Sequence, residues 1–511
     1  MRFLIAICLI VFNILIFAVC FRIPVNAAGG DLIWSRYVNL VKYKYEAPWS
    51  VTLSSDERYI YIAGSQKAPS GGDPNTQMWR IEKRKTSDGS LVWAITNQPG
   101  WFDNRAYRII LDGDYIYIVG FKCHSYPYWY RVIQKRSAIN GSLIWAKSSS
   151  SYTPGNGHGT FYGVTTDNNY VYISGLSGSG DKSWYGVIEK RKKGDGSLVW
   201  AKDFSYDKDA QIFDIIANGS YLYTAWSIKS ENGWRIEKRR KSDAHLIWEK
   251  HFTLYSSKAG TAAYSIAGIS GNYIYITGID SLPGNEEWRI EKRRIDNGNL
   301  VWVKYSNPSN TLGWDTDRTY QSQIYSDRIF VVGYTKKGGD KRWRIESRRL
   351  SDGAFDWSKE VNHSSSEDDV AIGVSVGVTG MYITGHTTSK DSNWAIEKRN
   401  NGISVIAHGL AWSNNGNPVA FIDKNGNMYL EGALHTGNAG NGKFKIKCKG
   451  SIVGSIDTSG NLYLKGNYLS GLPQASGFIV KSDGAVKAQV DRSGNLKLKG
   501  VLYEGVNNIV R

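Results

Sequence analysis

Carboxylates and arginines set beside aromatic rings are the residues of this chain best equipped for chemistry, and they fall in the longest connections between alternating apolar segments. They are Trp101, Asp103 and Arg105; His124, Tyr126 and Tyr128; Tyr152 and His158; Trp314, Asp315, Asp317 and Arg318; and Glu367, Asp368 and Asp369. Rings that stack, with polar groups that fix hydroxyls, suit a sugar or another polar ligand. Variable connections held by a rigid scaffold are where binding residues concentrate.

Dedicated catalytic or metal-binding motifs are missing from the sequence. Gly437 to Lys443 (GNAGNGK) has the spacing of a phosphate loop, but Phe444 replaces the required Ser or Thr and no helical pattern follows. The eight histidines form no HExxH or comparable cluster. Glu82, Glu189, Glu237, Glu291, Glu346 and Glu397 recur between basic residues, which reads as a lattice of paired charges rather than six catalytic acids. The expectation is a protein with no catalytic set, no metal and no cofactor.

The elements that must position these residues are repeats. A Trp-bearing strand (SLVWAK and variants), a Tyr/Ile strand ending in Gly (YIYITG) and a charged strand (WRIEKR) recur along the chain. Trp34, Trp93, Trp145, Trp200, Trp248, Trp302 and Trp357 mark the first of these at intervals of roughly 50 residues, the size of a four-stranded propeller blade. In the second unit the order is AYRIIL, a DGD turn, YIYIVG, a loop, RVIQKR, an Asn-Gly turn and SLIWAK, designated strands A to D. Asn-Gly and Asp-Gly supply the positive φ of tight hairpins. In strand C, Trp234, Ile236 and Lys238 share one side, while Arg235, Glu237 and Arg239 share the other. Units two and three place Trp129 and Trp184 two residues early and are expected to keep the same side.

The chain enters on a lone D-type strand at Leu32 to Ser35, and the seventh unit supplies A, B and C without a good D copy. The first strand is therefore expected to complete the last blade, leaving few open sheet edges. This predicts an all-β, seven-bladed β-propeller over residues 29–400, closed by an N-terminal strand, with the seven tryptophans as structural plugs. The A-to-B and C-to-D turns are short and share one face. The B-to-C and D-to-A loops are long and share the other.

DGSLVW (Asp88 to Trp93) and GDGSLVW (Gly194 to Trp200) resemble the tryptophan-docking repeat of quinoprotein-like propellers, in which a Gly and a Trp four residues later close the outer strand. Gly89/Trp93, Gly141/Trp145, Gly196/Trp200, Gly298/Trp302 and Gly353/Trp357 match that spacing, whereas Lys85 stands where the family usually carries Asp. The resemblance spans residues 30 to 400. It implies a propeller, typically of eight blades, and covers both pyrroloquinoline-quinone dehydrogenases and noncatalytic scaffolds. The vicinal cysteine pair common in the alcohol dehydrogenases has no counterpart here. TSDGSLVW also approaches the Asp-box of sialidase-type propellers, but Gly89 directly follows Asp88 where the box needs an intervening residue.

Residues 1 to 28 read as a secretory signal: Arg2, an apolar run from Phe3 to Val19, and small residues at Val25, Ala27 and Ala28. The reading that competes with cleavage is an uncleaved anchor. A secreted, periplasmic or cell-surface location follows from either. Cys123 and Cys448 are the only cysteines beyond the leader, so stability must come from packing. A formal charge of +17 would suit an acidic polymer. Much of it sits in the repeated KR and KRR of strand C, and no specific nucleic-acid binding is expected.

After Arg399 the rhythm changes to FIDKNGNMYLEG, SIDTSGNLYLKG and QVDRSGNLKLKG, whose aspartates are Asp423, Asp457 and Asp491. Each reads as a hairpin with an Asp-x-x-Gly-Asn turn. Such hairpins are marginal alone and are expected to stack serially or to associate between chains. Residues 410 to 511 resemble the Gly-Asn-rich β repeats of phage tail fibres and microbial surface stalks. Residues 401–511 are therefore read as a smaller β-hairpin repeat domain, a stalk or a homo-oligomerisation module.

Taken together, these features predict an exported noncatalytic propeller, displayed on a β-repeat stalk, that binds a glycan, envelope component or protein through its long-loop face. The competing readings are a quinoprotein-like oxidoreductase or carbohydrate-active enzyme, and a rigid spacer in a surface assembly.

Overall fold

The computed structural model describes residues 29–510 except for 39–45, 68–75, 126–127, 150–157, 179–183, 205–208, 229–232, 254–260, 283–284, 308–316, 338, 364–367, 388–392 and short stretches beyond residue 403. The described residues form strands and turns, with no helix. Through residue 399 they make seven four-stranded antiparallel sheets. Six are consecutive in sequence: blades 1 to 6 span residues 47–97, 104–149, 159–204, 210–253, 262–306 and 318–361. Blade 7 takes three strands from residues 369–399 and its fourth from the N-terminal strand Leu32–Val38, which runs antiparallel to Asn393–Arg399 with Trp34 opposite Lys398. The chain is a β-propeller.

Strand C holds each blade together from inside. Glu82 is fully buried between Arg80 and Arg84, at 2.5 and 2.6 Å, and Arg84 donates its other nitrogen to the Gly89 carbonyl at 2.9 Å. The second of these arginines recurs as Arg136, Arg191, Arg239, Arg293, Arg348 and Arg399, each reaching the carbonyl that opens strand D. Removing two charges from water is tolerable only when every lone pair is engaged, and the fork of a guanidinium does this for a carboxylate and a turn together. The intervening lysine lies over a strand-B tyrosine pair and donates to the following blade, as Lys83 does to Ala138.

Two tryptophan locks join consecutive blades. The strand-D indole of one blade docks on the C-to-D turn of the next: Trp34, Trp93 and Trp145 donate to the carbonyls of Thr86, Ile139 and Lys193 at 3.0, 2.9 and 3.2 Å. Gly89 thus faces Trp34 of the preceding blade rather than its own Trp93. Trp34 and Trp145 are buried, whereas the other five strand-D indoles are only half-buried.

The deepest indoles are those of strand C, Trp79, Trp234, Trp288, Trp343 and Trp394, which pack over strand B of the next blade. A Cβ on Gly278 would lie 2.8 Å from Trp234, so the small residue ending strand B is the socket for this ring. Between blades 3 and 4 the pair is exchanged. Gly186 occupies the strand-C position and Trp226 the strand-B position, with a Cβ at 186 falling 2.2 Å from the Trp226 ring. Trp129 and Trp184, two residues earlier in unbroken register, keep the side expected of them but do not fill the socket. In blade 2 Arg131 holds the strand-C position, 5.5 Å from the Phe161 ring, while Trp129 and Trp184 gather around His158 instead.

Beyond residue 403 the three hairpin repeats do not run in series. Each supplies a three-stranded antiparallel unit, and the segment following each unit pairs in parallel with the third strand of another. Leu434–His435 pairs with Leu462–Leu464, Tyr468 bridges to Leu496, and Leu502–Tyr503 pairs with Met428–Leu430. Three asparagines repeat one link around this cycle: Asn461 accepts from Ala433 N, Asn495 from Asn467 N and Asn427 from Val501 N, at 2.8 to 2.9 Å. Leu430, Leu464 and Leu498 meet in one core. The repeats thus cover one another's apolar faces within a single chain.

Candidate functional site

Strand A lines the propeller axis, and its first residues lie on the side of the D-to-A loops. In every blade a strand-A residue near the start is bulged out of the pairing with strand B, and these residues are Trp49, Tyr107, Tyr162, Phe213, Tyr264, Tyr320 and Ile372; blade 5 has a second bulge at Ala267. A bulge re-aims its side chain. Here the rings of six successive blades form a collar, with centroids 5.1, 5.1, 5.3, 4.9 and 6.4 Å apart from Trp49 to Tyr320. Ile372, with Tyr334 and Val370, occupies the remaining sector. The six rings are each partly exposed, unlike the fully buried strand-C indoles. Burial raises the hydroxyl pKa of Tyr107, Tyr162, Tyr264 and Tyr320, which keeps all four neutral.

One residue deeper, a polar belt ties the inner strands to each other. Arg108 of blade 2 pairs with Asp214 of blade 4, passing blade 3 where that position is Gly163. Asp214 also accepts from Ile215 N and Ile266 N, both at 2.9 Å. On the other side Gln321 of blade 6 accepts from Val374 N at 3.0 Å and donates to Ser50 of blade 1 at 3.3 Å, past Gly373. Two missing side chains thus let two long ones reach across a whole blade.

Two ion pairs stand at the rim. Arg105 pairs with Asp103 at 3.0 Å and hydrogen-bonds Tyr107; Arg318 pairs with Glu286 at 3.1 Å. Burial raises the Asp103 carboxyl, and Arg105 opposes it. Glu46, at the corner before strand A of blade 1, accepts from Lys67 N at 2.8 Å, and burial pushes its carboxyl up to about 7. Asp317 holds the equivalent corner of blade 6 and accepts from Lys336 N at 3.1 Å.

The residues singled out from the sequence do not converge on one site. Asp103, Arg105 and Arg318 stand at the rim of the collar. Asp317 and Asp369 are fully buried corner anchors, the latter accepting from His363 N at 2.7 Å, and Asp368 is paired with Lys341 at 2.6 Å. Tyr128 and His158 belong to the aromatic cluster with Trp129 and Trp184 between blades 2 and 3, where burial lowers the His158 pKa. Trp101 is exposed on its loop. Tyr126, Tyr152, Trp314, Asp315 and Glu367 lie outside the described residues, as does the side chain of His124. No group of three His, Cys, Asp or Glu side chains among the described residues is disposed to hold a metal.

The collar itself was missed at the sequence level. Its signal was an aromatic at the third or fourth residue of strand A, followed by a small or polar residue (Trp49-Ser50, Tyr162-Gly163, Tyr264-Ser265), but strand A is the least repetitive of the four.

No protein-family model and no curated protein matches the chain. Among solved structures it is similar to the quinohemoprotein alcohol dehydrogenase of Comamonas testosteroni, at TM-score 0.45 and 11% identity over 76% of this chain and 80% of that one. It is also similar to the Pan2 WD40 domain of Neurospora crassa, at TM-score 0.46 and 10% identity over 73% and 97% of the two chains. The WD40 propeller domain of Doa1 gives TM-score 0.44 and 12% identity over 72% and 97%.

Proposed function

We propose that this protein is an exported, noncatalytic propeller that binds a glycan, envelope component or partner protein through its long-loop face. The observation that carries this reading is the collar: six partly exposed rings, contributed by six blades, turned toward the axis beside two rim ion pairs. Aromatic walls with a few placed polar groups are the composition of a binding site. Asp103, Arg105, Glu286 and Arg318 around it are committed to ion pairs and Asp317 to a backbone amide, which leaves these residues poorly suited to general acid or base work.

Export rests on the leader reading of residues 1–28. Pull-down of envelope fractions and glycan arrays with the full chain test the reading. Capture by wild type and loss with Trp101→Ala combined with Arg105→Gln are expected. Absence of capture, or capture indifferent to changes across the long-loop face, would overturn it.

A further inference from the structure

We infer that the axial mouth takes the end of a neutral saccharide, a pyranose stacked within the collar, an assignment that rests on the binding reading above. Three observations select this chemistry. The rings of Trp49, Tyr107, Tyr162, Phe213, Tyr264 and Tyr320 gather apolar surface from six blades into one partly solvent-open ring at the axis. A pyranose offers the matching C–H face, and hydroxyls that need partners at its edge.

The rim is charged but compensated. Arg105 and Arg318 already face the carboxylates of Asp103 and Glu286, so an anionic ligand would find each guanidinium occupied and a carboxylate beside it. Vicinal hydroxyls, which both donate and accept, can bridge the two members of such a pair without breaking it. Phenol hydroxyls such as those of Tyr264 and Tyr320 have the same dual capacity.

Below the collar the belt is engaged with itself through Arg108, Asp214, Gln321 and Ser50, so its polar groups form a floor rather than a second recognition layer. A chain end entering from the loop side fits this arrangement.

Calorimetry and tryptophan fluorescence on the full chain, titrated with tetrasaccharides ending in glucose, galactose or N-acetylglucosamine, test the assignment; a uronate-ended tetrasaccharide and pyrroloquinoline quinone are comparators. At least one neutral saccharide should bind at least about tenfold more tightly than the uronate, and Tyr162→Ala should weaken it by about tenfold while Tyr162→Phe stays within about threefold. Should Tyr162→Ala misfold by near-UV circular dichroism, Arg105→Gln and Trp49→Phe provide the same comparison. Binding of the uronate or the quinone in preference, or saccharide binding unmoved by folded collar variants, would overturn the assignment. Envelope capture without saccharide binding would sink it while leaving the binding-propeller reading intact; loss of both would sink both.

Discussion

At the residue scale, the exchanged pair is the sharpest statement of how the blades fit. A strand-C indole needs a strand-B residue without a side chain, and Gly186 with Trp226 meets that need with the roles reversed. Trp226→Gly should cost about 3 kcal/mol or more through the cavity it leaves, and Gly186→Trp about 1–3 kcal/mol or more through overpacking. Combining them should recover most of the loss in chemical denaturation, because the indole then occupies the position used in blades 1, 4, 5, 6 and 7. A second pair of substitutions concerns the C-to-D turn. Ala244 carries φ 61° where the other blades place glycine, and the Trp200 Nε1 that should dock there has no hydrogen-bond partner. Ala244→Gly should therefore stabilise by about 1 kcal/mol, while Gly298→Ala, at φ 73° with Trp248 within 2.8 Å of the new Cβ, should destabilise by about 1–3 kcal/mol. Thermal melts that ranked the two changes the other way would refute the docking account.

At the scale of the element, the junction between the first and last blades is made by more than the Leu32–Val38 strand. Glu57, in the A-to-B turn of blade 1, accepts from Val378 N and Thr379 N of blade 7 at 2.8 and 3.0 Å. Lys398 lies within electrostatic reach; burial drives its pKa down to about 8, against a smaller opposing pull from Glu57. An unfolded chain keeps this lysine protonated to about pH 10.4. Between pH 8 and that value the unfolded state binds more protons than the folded state, so stability should rise with pH through this window. Lys398→Met should flatten that rise and leave the chain more stable at pH 7, by up to about 3 kcal/mol, in denaturant titrations at pH 7 and 9. An unchanged pH profile would show that Lys398 does not set it.

At the scale of the whole molecule, the two halves solve the same edge problem in different ways. The propeller borrows its first strand for its last sheet, whereas the C-terminal repeats exchange one short segment each around a cycle of three. Their shared core draws Ile456, Leu464, Val490, Leu498 and Leu502 from different repeats, so no repeat has a core of its own. Truncation after Gly471 should therefore unfold the two remaining repeats together while leaving the propeller transition in place. Amide exchange checks this, and protection persisting in Ser451–Ile456 would contradict it.

Much of this architecture was legible in the residues because the informative signals are local. Hairpin turns, alternating strands and indole spacing are carried by contiguous segments, which is why strands B, C and D repeat recognisably and the lone N-terminal D-type strand matches the gap beside Trp394 to Arg399. The sequence alone also determined that Glu82 and its counterparts are lattice charges, since each sits between its own basic neighbours. Only the tertiary structure decided which rings meet. The collar brings together residues some 50 positions apart that are unremarkable in their own strands, the Gly186/Trp226 exchange is invisible without the blade interface, and the closure of the three C-terminal hairpins depends on pairings between segments up to 74 residues apart. A repeat specifies its unit through short-range pattern, whereas what converges at the axis is set by how the units pack around it.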